Sequence, residues 1–91
     1  MSRKIYKYPL ELLDEQTIEI PAHAEFLTVQ MQYGKLCVWA IVETNNLNEK
    51  EYFLIRGTGY RMPDRPEHLQ YLGTVQQDGG ALIWHVFRAI K

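Results

Sequence analysis

The residues best suited to chemistry in this sequence surround a short glycine-containing segment, Gly57-Thr58-Gly59-Tyr60. Glycines allow a backbone to approach a ligand closely, and successive N–H groups in such a turn can bind an anion. Arg56, Arg61 and Arg65 flank the segment, and guanidinium groups suit phosphate or carboxylate. The complete spacing of a dinucleotide-binding loop or a P-loop is absent. Two interpretations therefore stand: a plain turn after a strand, or a site for a nucleotide-like anion.

His85 completes this candidate ligand site, since an imidazole that opens on a groove can act as a base or a binding group. On a buried face it would instead be a hydrogen-bonded core or interface residue. His23 and His68 have no companion at metal-ligand spacing, and Cys37 lies in an apolar stretch where a thiol is normally inert. No Ser-His-Asp or Cys-His arrangement can be traced along the chain. We therefore predict no catalytic residue, no metal and no cofactor.

Two further groups of side chains are typical of contact surfaces. Carboxylates are concentrated within fifteen residues: Glu11, Asp14, Glu15, Glu19 and Glu25. They form either a solvated face or a surface that imitates nucleic-acid phosphates or meets a basic partner. Aromatic residues make up 12% of the chain, and any that are exposed together, such as Tyr6, Tyr8 and Tyr33, would favour an interface.

The elements that must position these residues are strands, because the hydrophobic pattern has a period of two. Between Phe26 and Gln32, an apolar row (Leu27, Val29, Met31) alternates with a polar row (Thr28, Gln30, Gln32). Tyr33-Gly34-Lys35 provides a turn, and the uninterrupted apolar run Leu36–Val42 is typical of a central strand covered on both faces. The pattern predicts a β-hairpin.

A second hairpin is predicted from Leu69–Gln76 and Ala81–Arg88, which flank Gln77-Asp78-Gly79-Gly80. In its second arm His85 shares one face with Ile83 and Phe87. Three more strands are expected, the first of them at a sheet edge because it contains lysines and precedes a proline: Ile5–Tyr8, Thr17–Ile20 and Tyr52–Arg56.

Helix is scarce in this pattern, with one or two turns expected at Pro66–Leu72 and another turn at Leu10–Gln16. The predicted fold class is mainly β: a compact antiparallel β-sandwich or partly open barrel of six to seven short strands, with at most one or two short helical turns.

Length and composition agree with one globular domain, residues 1–91. The longest apolar run is far shorter than the ~20 residues that span a bilayer, and no secretory signal pattern opens the chain, so no membrane partner is expected. Ten Lys and Arg against 11 Asp and Glu give a net charge of −1, which opposes nucleic-acid binding. A single cysteine fits a reducing compartment, and we expect a cytoplasmic location.

Seven blocks of sequence, in this order and spacing, resemble a family of small bacteriophage and prophage proteins of uncharacterised function. They span most of the chain: Lys4–Leu10, Gln16–Ile18, Val29–Gln30, Trp39–Ala40, Gly57–Gly59, Leu72–Thr74 and Gly79–Phe87. The resemblance implies a protein made inside an infected or lysogenic bacterium. It also implies an accessory role, such as binding a host protein or a host signalling molecule.

The leading hypothesis is a non-enzymatic protein–protein interaction module that forms a homo-oligomer and acts on a host or phage protein. The alternative is a protein that binds or sequesters a nucleotide-like anion, and so counters host defence signalling, through Arg56, Gly57, Thr58, Gly59, Tyr60 and His85. An enzyme that uses His85 ranks below both.

Overall fold

Seven antiparallel strands build the described part of the chain, residues 2–64 and 68–90 of a computed structural model. The predicted mainly-β sandwich is confirmed. The strands are β1 (Arg3–Pro9), β2 (Glu15–Pro21), β3 (Glu25–Gln32), β4 (Lys35–Glu43), β5 (Asn48–Gly57), β6 (Leu69–Gln77) and β7 (Leu82–Ala89). Each strand overlaps a segment that the sequence pattern predicted, with ends that differ by up to four residues, and β7 begins at Leu82 rather than at Ala81.

The strands form two sheets. Sheet I has three strands in the order β1-β4-β3, and sheet II has four in the order β2-β5-β7-β6. Strand β3 of sheet I lies against β6 of sheet II, so the two sheets approach each other most closely along that side. There Gly73 of β6 faces Val29 of β3, and a Cβ atom at residue 73 would lie 2.6 Å from Val29 Cγ2.

Between the sheets lies one apolar core, built mainly from alternate residues of strands β2 to β7 because side chains of a strand point to opposite faces. Its buried members are Leu10, Ile20, Val29, Leu36, Val38, Ala40, Val42, Phe53, Ile55, Val75 and Val86. Phe26 packs edge-on against Phe53, with ring centroids 5.7 Å apart. The core thus buries one face of each sheet, and the outward face of each sheet is left to solvent or to partners.

Two turns of the hairpins use backbone conformations that ordinary residues rarely adopt. Tyr33 and Gly34, between β3 and β4, have φ of 51° and 76°, as in the mirror-image turns that match the twist of hairpin strands. Between β6 and β7, Asp78 and Gly79 have φ of 54° and 66°, within a 3-10 turn at Asp78–Gly80. Both predicted hairpins are confirmed.

Leu27 lies on the opposite side from its prediction. The pairing of β3 with β4 shifts between Phe26 and Thr28, and this β-bulge inserts one extra residue into β3. The bulge reverses the alternation, so Phe26 turns toward the core while Leu27 is 45% exposed.

The prediction that the strand at Leu36–Val42 is covered on both faces is also wrong in part. Its strand, β4, is central in sheet I, but Trp39 and Ile41 on its outward face are only half-buried. No described element covers this outward face of sheet I, whereas sheet II covers the inward face. Cys37 is buried, as its apolar surroundings predicted.

The helical turn predicted at Pro66–Leu72 is strand from Leu69 onward, with His68 in a 3-10 conformation, and the turn predicted at Leu10–Gln16 is loop and strand. Leu69–Leu72 belongs to β6 and pairs with β7, since ladder hydrogen bonds over a long hairpin outweigh a short helix. Pro66 and Glu67 lie outside the described residues. In the other segment Gln16 already belongs to β2, and its side chain both accepts from Glu11 N–H and donates to Glu11 C=O, closing the preceding residues as a loop.

Candidate functional site

The predicted ligand-binding residues do come together, at one end of the outer face of sheet II. Arg56 of β5 and His85 of β7 are register partners in adjacent strands, and the turn at 57–60 begins directly at the end of β5. Thr58 Oγ1 in that turn lies 2.8 Å from His85 Nε2. Arg65, predicted to flank the turn, lies outside the described residues.

The segment Gly57–Tyr60 is a tight turn. Tyr60 N–H donates to Gly57 C=O at 3.1 Å, and Gly59 adopts φ of +88°, which favours glycine. Gly57 is buried because Tyr60 and Trp84 lie over it: a Cβ there would be 3.4 Å from the Tyr60 ring and 3.5 Å from that of Trp84. One N–H group of the predicted anion-binding nest is therefore already used by the turn itself.

Arg56 holds two loops in place. Its Nε donates to Arg61 C=O at 3.0 Å, and its Nη1 donates to Asp14 C=O at 2.9 Å and to Ile55 C=O at 3.1 Å. The guanidinium therefore ties the loop before β2 to the loop after β5. Both segments are irregular, and the Asp14 carbonyl also accepts from the Ile55 N–H of β5 at 3.0 Å.

The hollow beside Arg56 has mixed charge. Its volume is about 370 Å³, and it is lined by Glu15, Arg56, Arg61, Met62, Pro63 and Asp64. The two carboxylates carry the same sign as a phosphate ligand and reduce the attraction of the arginines for it. Among the described residues that line the hollow, two carboxylates thus offset the two arginines.

His85 forms the centre of a chain of hydroxyl groups on the same face. Its Nδ1 lies 2.9 Å from Thr74 Oγ1, and Thr74 Oγ1 lies 2.5 Å from the Tyr71 hydroxyl. With Thr58 on Nε2, both ring nitrogens have a hydroxyl partner, which can donate to one nitrogen and accept from the other in either neutral tautomer. This arrangement fixes the imidazole ring.

A hydroxyl beside an imidazole is the geometry of a nucleophile and its base. In hydrolases that use such a pair, a carboxylate orients the second ring nitrogen and stabilises the imidazolium. Here a neutral hydroxyl, that of Thr74, holds that position, and the register partner of His85 on β5 is the cation Arg56. Among the residues that the structure describes, the side-chain partners of His85 are hydroxyl groups, and no carboxylate is hydrogen-bonded to its ring.

A second polar cluster, which the sequence analysis missed, lies at the edge of the core. Arg88 Nη1 is 3.2 Å from Glu51 Oε1, with side chains only 24% and 12% exposed, and Arg88 Nε donates to Gln70 Oε1 at 2.6 Å. The Arg88 guanidinium also lies 5.0 Å from the centroid of the Phe26 ring. Because Glu51 and Arg88 are 37 residues apart, no local spacing signals the pair.

The outward face of sheet I contains several exposed or half-buried apolar side chains. Register places Ile5 of β1 beside Ile41 of β4, and Trp39 beside Thr28 of β3. We name as the apolar patch the four hydrophobic residues of this face: Ile5, Leu27, Trp39 and Ile41. Ile5 is 61% exposed and Leu27 is 45% exposed.

The apolar patch lies along a shallow groove of about 470 Å³, lined by Ile5, Leu27, Thr28, Gln30, Met31, Gln32 and Trp39. Polar pairs bridge over β4 at both ends of the patch. Arg3 lies 3.8 Å from Glu25 at one end, and Lys7 Nζ donates to Gln32 Oε1 at 2.6 Å at the other. An apolar centre with a polar rim is the common anatomy of a protein interface.

Only some of the tyrosines that were predicted to lie together do so, whereas the acidic residues are exposed as one of their two interpretations requires. Tyr6 and Tyr8 contact each other edge-on, with centroids 6.4 Å apart, and burial raises the pKa of the Tyr8 hydroxyl, with a smaller effect of Tyr6. Tyr33 is fully exposed, but on the β3–β4 turn. The acidic residues of the segment are all exposed: Glu11, Asp14, Glu15, Glu19 and Glu25.

Within residues 2–64 and 68–90, no group of three or more His, Cys, Asp or Glu side chains is placed to hold a metal ion. In the same part of the chain, no helix has the length and apolar character needed to cross a membrane.

A family model described as "Domain of unknown function (DUF7352)" matches residues 1–91 of the sequence. The chain belongs to the DUF7352 family. Neither the curated proteins nor the solved structures include a match to this DUF7352 chain. Its function must therefore be argued from its own surfaces, of which the apolar patch and the His85 face are the two candidates.

Proposed function

We propose that this DUF7352 protein is a non-enzymatic protein–protein interaction module that binds through the outward face of sheet I. The observation that carries the proposal is the apolar patch, in which Ile5 and Leu27 remain 61% and 45% exposed. Contiguous exposed apolar surface with a polar rim is typical of sites that bind another protein.

The patch is also well suited to binding because its backbone is already fixed. Strand β4 forms hydrogen bonds with β1 on one side and with β3 on the other. The side chains on its inward face are buried in the core. A rigid sheet loses little conformational entropy when a partner binds. Trp39, at the centre of sheet I, is a residue type enriched at the energetic centres of interfaces.

The resemblance to small phage and prophage proteins supports the biological setting of the proposal. In that setting the protein acts in the cytoplasm of a bacterial host, in an accessory role, and its partner is a protein of the infected cell, either of host or phage origin or another copy of itself.

The test compares two lysine substitutions at exposed residues. Ile5→Lys places a charge within the apolar patch, whereas Leu47→Lys changes a side chain that is 87% exposed in the loop between β4 and β5. Tagged wild type and both variants serve as baits in a lysate of infected host cells, and bound proteins are identified by mass spectrometry. We expect Ile5→Lys to lose the proteins that wild type and Leu47→Lys both retain.

Capture of the same proteins by wild type and Ile5→Lys would contradict a role for this face. Circular dichroism of both variants checks that each is folded, and two highly exposed sites were chosen so that neither substitution disturbs the core.

Binding of a nucleotide-like anion stays a prediction of the sequence, and the surroundings of Arg56 favour it less. The three carbonyl groups that Arg56 holds, together with Glu15 and Asp64 in the same hollow, oppose a phosphate there. A ligand that prefers the folded state raises its melting temperature. A panel of nucleotides that raises the melting temperature of wild type, but not of Arg56→Lys, would favour this alternative over the interaction module.

A further inference from the structure

We infer that the partner of the sheet I face is a second copy of this chain, related by a two-fold axis that runs along β4. This inference rests on the proposed function, because it names the occupant of the same face. The arrangement packs the two sheets I face to face, with the apolar patches of both copies in the centre.

The distribution of charge on the face carries this inference. The outward polar side chains of β1 are cationic, Arg3 and Lys7, whereas those of β3 are Glu25, Thr28, Gln30 and Gln32. One edge of the face is therefore positive, and the other offers a carboxylate and amide oxygens. Such a face is complementary to itself after rotation.

Symmetry then selects the axis. A two-fold axis along β4, in the plane of the contact, places β1 of each copy over β3 of the other. Each Arg3 then meets the second copy's Glu25, and each Lys7 meets its Gln32. A two-fold axis across the strands would instead place β1 over β1 and oppose cation to cation, which is unfavourable in a closed contact.

Within one chain, Arg3 already contacts Glu25 and Lys7 already contacts Gln32. The side chains of each pair therefore extend to a similar height above sheet I. Arg3 and Glu25 lie 3.8 Å apart with side chains 61% and 65% exposed, so each retains most of its surface for a partner. In the two-fold arrangement the same four groups exchange partners between copies, and the pairs form the rim of the contact.

Charge exchange provides a test that pairing within one chain cannot imitate. The Arg3→Glu variant carries two acids at this pair and the Glu25→Arg variant carries two bases, so each alone repels itself across the two-fold axis. When the variants are mixed in equal amounts, both contacts between an Arg3→Glu copy and a Glu25→Arg copy become attractive. Light scattering coupled to size exclusion measures the mass of each sample.

We expect wild type to have twice the 10.7 kDa mass of one chain, and each single variant to have a dimer dissociation constant raised at least about tenfold. The mixture should recover the dimer. Ile5→Lys, which buries a charge twice per dimer, should raise the dissociation constant about a hundredfold, while Leu47→Lys should leave it unchanged.

A mixture that stays as dissociated as its two components would overturn the two-fold arrangement. Wild type that remains monomeric at about 100 µM would overturn self-association altogether, since a specific dimer of this size forms well below that concentration. If monomeric wild type still captures another protein in a manner that depends on Ile5, the proposed function stands and only the occupant named here is wrong.

Discussion

At the scale of single residues, Arg56 illustrates how a side chain suited to ligand binding can serve the fold. Its guanidinium donates to the carbonyl groups of Asp14, Ile55 and Arg61. We expect Arg56→Ala to lower the free energy of unfolding by about 1–2 kcal/mol, because these partly exposed carbonyls lose charge-assisted hydrogen bonds. Urea denaturation measures the change. Arg61→Ala, in the exposed loop nearby, is the control, and an equal loss there would contradict a special role for Arg56.

Tyr8 gives the molecule a dependence on alkaline pH. Burial raises the pKa of its hydroxyl above 10.0, so the folded state keeps a proton that the unfolded chain releases. The stability that Tyr8 contributes in this way is therefore fully present below pH 10.0, and it is lost as the pH rises through the pKa of Tyr8 in the folded state. We expect the midpoint of urea denaturation to fall less steeply with rising pH in Tyr8→Phe than in wild type, over the range above pH 10.0. Tyr33→Phe, at a fully exposed residue, should follow wild type.

At the scale of elements, the β3–β4 hairpin contains a conformational strain that substitution can relieve. Tyr33 has φ of 51° and is fully exposed, so its side chain contributes little to offset a left-handed backbone. We expect Tyr33→Asn to raise the free energy of unfolding by about 0.5–1 kcal/mol, since asparagine tolerates this conformation. Thermal denaturation measures the gain. Leu47→Asn, at an exposed loop residue without positive φ, should bring no such increase.

The close approach of β6 to β3 is the element contact least tolerant of added volume. A Cβ at residue 73 would lie 2.6 Å from Val29 Cγ2, and Val29 is fixed in the core. We expect Gly73→Ala to lower stability by about 1–3 kcal/mol through overpacking. The same substitution should cost less in a Val29→Ala background, where the obstructing methyl is absent. Equal costs in both backgrounds, measured as a double-mutant cycle, would show that the Val29 contact is not the cause.

At the scale of the whole molecule, the sandwich has two faces of different character. The outward face of sheet I is apolar at its centre, whereas sheet II presents the hydroxyl chain around His85. If the sheet I face is covered by a second copy, folding and association are linked. The melting temperature of wild type should then rise by a few degrees between about 1 and 100 µM protein. That of Ile5→Lys should stay constant, and a constant value for wild type would argue against a dimer.

The strands were predictable because their signals are local. Alternation of polar and apolar residues identified β3 and β7, and Asp78-Gly79 and Tyr33-Gly34 identified the two hairpins. The candidate site was predictable in part, since Arg56 and His85 do become neighbours. The role of Arg56 was not predictable, because two of the carbonyl groups that it holds, those of Asp14 and Arg61, belong to loops whose positions depend on the assembled sheets.

By itself, the sequence determined a mainly-β fold of short antiparallel strands and much of the alternation between inward and outward residues, because a strand exposes alternate side chains regardless of what surrounds it. Only the tertiary structure decided which outward faces remain uncovered. The bulge that turns Leu27 outward depends on the register of the β3–β4 hairpin, and the pairing that joins Ile5 to Ile41 depends on register across more than thirty residues of intervening chain. The same holds for the Glu51–Arg88 pair. Contacts between distant segments have no local signature, and here they create the apolar surface on which the proposed function depends.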